Sequence, residues 1–429
     1  MSSLDPAAIQ EQIKLHEKDI LQWLKKLVSY PSENRPPRGN EGDAQAFVAR
    51  ECVKLDLDVE HFSPEDVPGI REHSSWLEGR IYSEGRQNVN AVWKGSGGGK
   101  SILLSGHTDV APFEPDNWKE CRPFEPLFKE GKLYGRGTAD MKGGIAASFW
   151  AVKILKELGF RPAGDIIFET VVDEEFAGGN GTLASRLKGY NADLAIYTEP
   201  TGMEVCPAAL GAFLGSLTVV GNPGMPYTGY SIPNPISGAA RVVHHFAEWE
   251  KAWQKNSSHP LFTGKGKEVK TLLWHIDSTT PGTFTQMGTP MITKISWIVW
   301  CYPGMEEKDF FDSFRSFWTK VFSEDPELKP FSFQLEKEYH YVKPWETDTE
   351  DPGVRTICES FERVTGKKPV IQGAPFSCDI ALYGETGNMP VIILGPNGDN
   401  LHGSDEWVSM EDVYSLTEII ARTVLSHCG

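Results

Sequence analysis

No two cysteines form a Cys-x-x-Cys pair, and the seven present (52, 121, 206, 301, 358, 378 and 428) are scattered and odd in number. That pattern indicates neither a disulfide framework nor a thiolate zinc site. No apolar run approaches the roughly 20 residues that span a bilayer. The N-terminus, Met1-Ser-Ser-Leu-Asp-Pro-Ala-Ala8, lacks the basic-then-apolar order of a secretory signal. These absences predict a cytoplasmic chain. There is no basic run either, and the formal net charge is -17. Nucleic acid and anionic membrane are therefore poor partners, whereas a divalent cation is not repelled. Gly95-Ser-Gly-Gly-Gly-Lys100 lacks the Gly-x4-Gly-Lys-Ser/Thr spacing of a phosphate loop. A strand rather than a helix follows it, so it reads as a hairpin turn.

What is present fits a soluble globular protein: 40% hydrophobic and 24% charged residues in a chain of 429. That length predicts two domains, or one large domain with an insertion. Apolar spacing predicts helices over 7–30 and 41–55, a strand over 59–62, and strands over 89–93 and 101–104. A Pro- and aromatic-rich loop over 112–130 precedes Gly135-Arg-Gly-Thr-Ala-Asp140-Met-Lys-Gly-Gly144, and a helix over 145–158 follows. Core strands over 166–172 and 192–197 flank a helix ending near Leu187. From about Gly211 the order becomes strand 215–220, helix 234–253, strands near 271–277 and 283–288, strand 292–301, helix 306–322 and strand 331–341. This is a β-α-β-β-α-β layout of ferredoxin-like type. The alternating pattern then resumes, with helices over 353–365, 379–384 and 410–426 and strands over 369–372 and 390–394. The expected fold is α/β. A three-layer catalytic domain with a mixed, mostly parallel sheet (1–211 and 343–429) carries an inserted ferredoxin-like lid and dimerisation domain (212–342).

Chemistry gathers at strand ends, where open α/β sheets place their sites. The apolar run Ile102–Leu104 leads into Ser105-Gly-His107-Thr-Asp109. His107 and Asp109 are two apart and share a side in extended chain. Asp140 lies in the glycine-rich bend, Glu174 and Glu175 end the strand over 166–172, Glu199 ends the next, and His402 follows the last. Taken singly, each is an ordinary surface residue. Together, two imidazoles and three carboxylates (His107, Asp140, Glu175, Glu199, His402) suit a pair of divalent ions such as Zn, Co or Mn. Asp140 is the candidate bridge. Glu174 is left to carry a proton. Asp109 is placed to fix the His107 ring.

Five segments in this order resemble the M20 metallopeptidases: Ser105-Gly-His-Thr-Asp109, Gly135–Gly144, Asp173-Glu-Glu175, Thr198-Glu-Pro200 and His402-Gly-Ser-Asp-Glu-Trp-Val408. The resemblance covers nearly the whole chain. It implies a two-metal site, most simply di-zinc with Co or Mn as substitutes. His107 and Glu199 would hold one ion, Glu175 and His402 the other, and Asp140 would bridge. It also implies Glu174 as general base and acid, Asp109 as orienter of His107, and a homodimer formed through the inserted domain. The implied reaction is hydrolysis of an amide-like C–N bond in a small molecule, an N-acyl amino acid or small peptide, by a metal-bridged hydroxide. An alternative is hydrolytic deamination of an aromatic amine on the same scaffold. A further one is a non-catalytic binding protein.

Two positions depart from the family pattern. Where the family has a lid histidine ahead of an Asn-Pro-Ile element, here Asn234-Pro-Ile236, this chain has Met225. A thioether donates no hydrogen bond. Tyr227, Tyr230 and His244 are the candidates to replace it. Where the family has a carboxylate-binding arginine before a Pro-Gly turn, this chain has Trp300. Met225, Tyr227, Asn234 and Trp300 are thus the candidate substrate and oxyanion positions.

Overall fold

The computed structural model describes residues 5–82, 85–113, 117–176, 179–224, 232–280 and 288–429. The chain divides into two compact units. One comprises residues up to Ala208 together with Trp345–Ala374 and Cys378–Gly429; the other comprises Ala209–Pro344 and Pro375–Ser377.

The first unit is built on strands that are buried on both faces along their whole length, as in Asn88–Trp93, Ile102–His107 and Ile166–Val171. Such strands need a helical layer on each side. Four run parallel through the middle: Val391–Ile393, Ala195–Tyr197, Ile102–His107 and Ile166–Val171. Antiparallel strands flank them, Asn88–Trp93 and Asp58–Phe62 on one side and the start of Val205–Val220 on the other. The sheet is therefore mixed, with a parallel centre.

One face is covered by helices Pro6–Val28, Gly42–Lys54, Gly143–Glu157, Pro352–Thr365 and Met410–Cys428, whose apolar sides share one core. Asp5 caps the first of these helices by accepting from Ala7 N at 2.9 Å, and Pro6 opens it. Helix Gly143–Glu157 is buried on nearly every side, because it lies between the sheet and the outer helices. Asn180–Lys188 and the turns around Ile70 and Trp76 form a smaller core on the other face. Two glycines let the chain close around the strand that ends at Glu199. A Cβ on Gly144 would lie 2.2 Å from the Thr198 carbonyl oxygen, and one on Gly395 would lie 2.0 Å from that of Glu199.

The glycine run at 95–99 is not a hairpin turn. Its flanking strands both pair with Ile166–Val171, which lies between them. The loop instead crosses the start of that strand, with Ser96 N donating to Pro162 O at 2.9 Å and Gly97 N to Ala163 O at 2.8 Å. Small residues are needed because a Cβ on Gly95 would meet Ala163 O at 2.5 Å.

A small antiparallel sheet joins Gly398–Asp399, Trp407–Ser409, Lys132–Tyr134 and Leu127–Lys129. The last of these strands falls within the stretch expected to be loop.

The second unit has the ferredoxin-like order Thr271–Thr279, Ile292–Cys301, the later part of Val205–Val220, then Ser332–Lys337, all antiparallel. Helices Pro235–Asn256 and Glu307–Glu324 pack on it through a core rich in aromatic residues, including fully buried Trp297 and Trp318. Strand Val205–Val220 begins ten residues before the expected start. Strand Ser332–Lys337 stops short of 341, and Tyr339 turns the chain with a φ of 60°. The strand expected near 283–288 falls almost wholly outside the described residues. Among the described residues, no helix is long and apolar enough to cross a membrane.

Candidate metal centre

Five chain segments of the first unit converge at the carboxyl end of its parallel strands. Strand Ile102–His107 extends through His107, so the imidazole sits on the sheet rather than in the loop beyond it. Glu174 and Glu175 follow Ile166–Val171 after Asp173, which turns the chain with a φ of 65°. Glu199 follows Ala195–Tyr197. Asp140 leaves strand Lys132–Tyr134 in a short helical turn at the foot of helix Gly143–Glu157. His402 lies in the connection between Gly398–Asp399 and Trp407–Ser409.

The side chains meet closely. His107 Nε2 is 3.2 Å from Asp140 Oδ1 and 3.3 Å from Glu199 Oε1. His402 Nε2 is 3.1 Å from Asp140 Oδ2 and 2.8 Å from Glu175 Oε2. Asp140 therefore faces one histidine with each oxygen. Nitrogen and oxygen ligands at about 2.0–2.1 Å around a tetrahedral ion stand about 3.3 Å from one another. The observed separations are close to that edge length, and the donors are the hard-oxygen and imidazole types that Zn, Co and Mn accept. Charge points the same way. Asp109, Asp140, Glu174, Glu175 and Glu199 surround only two imidazoles, in a site where His107 and Asp109 are fully buried. Burying that excess of negative charge is costly unless cations offset it. The residues present fit a pair of divalent ions.

In the metal-free protein, protons take the place of that missing charge. Burial opposes a charge on His107, yet Glu199, Asp109 and Asp140 raise its pKa well above the ordinary value. Glu175 foremost, with Asp140, pushes His402 up to about 12. Burial would raise Asp140, but hydrogen bonds from His107 and His402 hold it well below the usual carboxylate range. Burial raises Glu174 well above its ordinary value, and Asp379 adds to the shift. Burial likewise carries Glu199 to about 7, with Asp140 contributing.

Asp109 lies behind the cluster. His107 Nδ1 is 2.9 Å from the Asp109 carbonyl oxygen but 3.5 Å from its carboxylate, so the main chain is the nearer partner of the ring. The carboxylate instead accepts from Glu174 N at 2.9 Å, Glu175 N at 3.0 Å and Asn34 Nδ2 at 2.9 Å. Asp109 thus fixes the turn that presents Glu174 as well as the histidine. Glu174 itself is 3.8 Å from His107 Nε2.

Of the substrate and oxyanion candidates, Asn234 and Trp300 belong to the second unit, as does His244. Asn234 caps helix Pro235–Asn256, accepting from Ile236 N at 3.0 Å. Trp300 is half-buried in strand Ile292–Cys301 of the second unit. His244 is exposed on its helix, 3.5 Å from Glu248. Met225, Tyr227 and Tyr230 lie outside the described residues.

Other residues enter the site without a signal that set them apart in the sequence. Asn34 comes from a Pro-rich loop and bonds both Asp109 and Asp173. Asp173 also accepts from Tyr82 OH at 2.7 Å and Arg86 Nη2 at 2.9 Å. Asp379 accepts from Thr182 Oγ1 at 2.7 Å, and burial raises its pKa to about 7. Of these, only Asp173 lies in a motif that the sequence sets apart, Asp173-Glu-Glu175.

The family model described as Peptidase family M20/M25/M40 matches residues 103–426. The N-formyl-4-amino-5-aminomethyl-2-methylpyrimidine deformylase of Bacillus subtilis is 26% identical over 98% of this chain and 97% of its own length. The di-peptidase Dug1p of Saccharomyces cerevisiae superposes with a TM-score of 0.77 at 13% identity, covering 99% of each chain. YXEP of Bacillus subtilis, a dinuclear metal-binding peptidase, superposes with a TM-score of 0.63 at 13% identity, covering 97% of this chain and 99% of its own.

Proposed function

The chain belongs to peptidase family M20/M25/M40, and from that premise we propose that it is a two-metal hydrolase of the amide C–N bond in a small N-acyl amine. The observation that carries this reading is the Asp140 carboxylate, with one oxygen toward His107 and the other toward His402. His107 and Glu199 would hold one ion and His402 and Glu175 the other, with Asp140 shared; Zn is the first candidate, Co and Mn the next. Ions bound there would polarise the substrate carbonyl and lower the pKa of a water from roughly 15.7 to about 7.

The remaining chemistry belongs to the chain. Glu174 stands beside the ligand set, and among the described residues no side chain donates a hydrogen bond to it. Its backbone is fixed by Asp109, so its carboxylate is presented without being consumed by a structural bond. It takes the proton of the attacking water and returns it to the leaving nitrogen. Water adds across the bond: the acyl carbon leaves as the carboxylic acid and the nitrogen as the free amine.

The substrate class rests on two supports. The deformylases of Bacillus subtilis and Halalkalibacterium halodurans, 26% and 25% identical, are named for an N-formylated aminomethylpyrimidine. Trp300 occupies the position expected for a carboxylate-binding arginine, and an uncharged indole with one N–H cannot supply the charged, two-pronged pairing that arginine gives a carboxylate. Both favour an N-formyl or short N-acyl amine without a carboxylate over an N-acyl amino acid. The test supplies Zn, Co or Mn to the stripped protein and offers N-formyl aminomethylpyrimidine, N-acetyl amino acids, dipeptides and aromatic amines. Formate with free amine from the first is expected. Ammonia release from an aromatic amine would replace this reading with deamination.

The second unit is proposed to join two copies of the chain. Strand Thr271–Thr279 ends its sheet among the described residues, and Leu272, Trp274 and Ile276 are 46, 48 and 52% exposed. An apolar strand edge of this kind is a template for pairing, and a two-fold axis would pair it with itself. Light scattering should give two chains per particle for the wild type and one for the Trp274→Lys, Ile276→Lys double variant. A monomeric wild type would remove the proposal.

A further inference from the structure

The two proposed ion positions differ in how they are built. His107 stands on a strand paired on both sides, and its side chain is 0% exposed. His402 stands on a short connection, its side chain is 56% exposed and its φ is 59°. Asn400 and Asp405 share that left-handed backbone, with φ of 59° and 57°. Asn, His and Asp adopt this region more readily than most side chains.

One buried ion pair, Arg136 with Glu406, bonds both this connection and the Asp140 turn. Glu406 Oε2 accepts from Arg136 Nη1 at 2.8 Å and from Gly137 N at 2.8 Å. Glu406 Oε1 accepts from Ala139 N at 2.9 Å and Asp140 N at 3.2 Å. One carboxylate therefore gathers three backbone donors, Gly137, Ala139 and Asp140, of the turn that ends in Asp140. Arg136 extends the clamp the other way. Its Nη2 donates to the His402 carbonyl oxygen at 3.0 Å and to Pro112 O at 3.4 Å. Arg136 and Glu406 are both almost fully buried, so these bonds are little screened by water. The planar guanidinium can serve the carboxylate with one nitrogen and the carbonyl with another, which a lysine cannot do.

We infer that Arg136 and Glu406 are positioning residues that set Asp140 and His402 in register: Arg136, through the His402 carbonyl, serves the ion at the His402 position, whereas Glu406, through the shared Asp140, serves both. This rests on the two-metal reading of the site. Neither residue reaches the cluster with its own side chain. Each acts through a backbone: Glu406 through the Asp140 turn, Arg136 through the His402 carbonyl.

The experiment titrates Co into the metal-free full chain, following heat and visible absorption. It compares wild type, Glu406→Gln and Arg136→Lys. The Gln amide would turn a donor toward backbone donors, and the lysine would keep the buried charge but not the fork. For Arg136→Lys the first ion should bind as in the wild type and the second about 10- to 100-fold more weakly, the usual cost of losing a partner that orients ligands; for Glu406→Gln both ions should bind more weakly. The absorption gained with the second equivalent should shift correspondingly. If Glu406→Gln does not fold, Arg136→Lys carries the comparison alone. Two ions bound with wild-type affinity in the variants would overturn the inference. So would equal weakening of both ions in Arg136→Lys, which a general loss of structure would produce. A wild type that takes up no second ion would overturn the two-metal reading, and this inference with it.

Discussion

Glu174→Gln should lower kcat by about 100- to 10,000-fold, the usual range for losing a positioned proton carrier, with metal content unchanged. The amide keeps the shape of the side chain and cannot take a proton. The metal measurement matters because of where Glu174 stands. One set of mutually close ligand atoms joins His107, Asp140 and Glu175, and another joins His107, Glu174 and Glu199. On distance alone Glu174 could be a ligand. A variant that loses both turnover and an ion would assign it that role instead.

The same variant has a stability signature. Burial, then Asp379, raises the folded-state pKa of Glu174 well above the value near 4.3 that an exposed glutamate has. A carboxyl raised in the folded state favours folding only while protonated, so it costs stability as pH rises above about 4.3. Metal-free Glu174→Gln escapes that cost. It should melt higher than the metal-free wild type at neutral pH, with the difference shrinking toward pH 4.

Asp140→Ala should abolish activity, with kcat/KM down by at least about 1,000-fold, because the polarising charge and the activated water are lost together. The reasoning is geometric. Each of its oxygens faces one histidine, so its removal disturbs both ion positions, whereas removing Glu199 or Glu175 disturbs one. Mass spectrometric metal analysis should find the ion content of Asp140→Ala reduced at both positions. Retention of two ions per chain would show that Asp140 is not shared. A normal circular dichroism spectrum is expected, since Asp140 lies at the foot of helix Gly143–Glu157 and not in its core.

Most of the cluster of carboxylates and imidazoles is legible in the sequence, because each member ends or follows an apolar run. Strand periodicity located His107, Glu174, Glu175 and Glu199, and the Gly-rich bend located Asp140. What lay hidden has a common cause: it depends on contacts between segments far apart in sequence. Asn34 bonds Asp109 across 75 positions, and Arg136 reaches Glu406 across 270. No local pattern encodes such pairs. The glycine run at 95–99 misled for the same reason. Its composition fits a hairpin, but the third strand that separates its neighbours arrives only at Ile166. Asp109 shows a subtler gap. Sequence spacing set it beside His107, yet the structure gives its carboxylate chiefly to the Glu174 and Glu175 amides.

The most direct measurement strips the wild-type chain of metal and returns Zn in steps. At each step it counts bound ions and follows amine release from whichever N-acyl amine is cleaved fastest. The expected result is no turnover in the stripped chain and a maximum at two ions per chain. Full turnover without metal, or a chain that binds no divalent ion, would contradict the two-metal hydrolase.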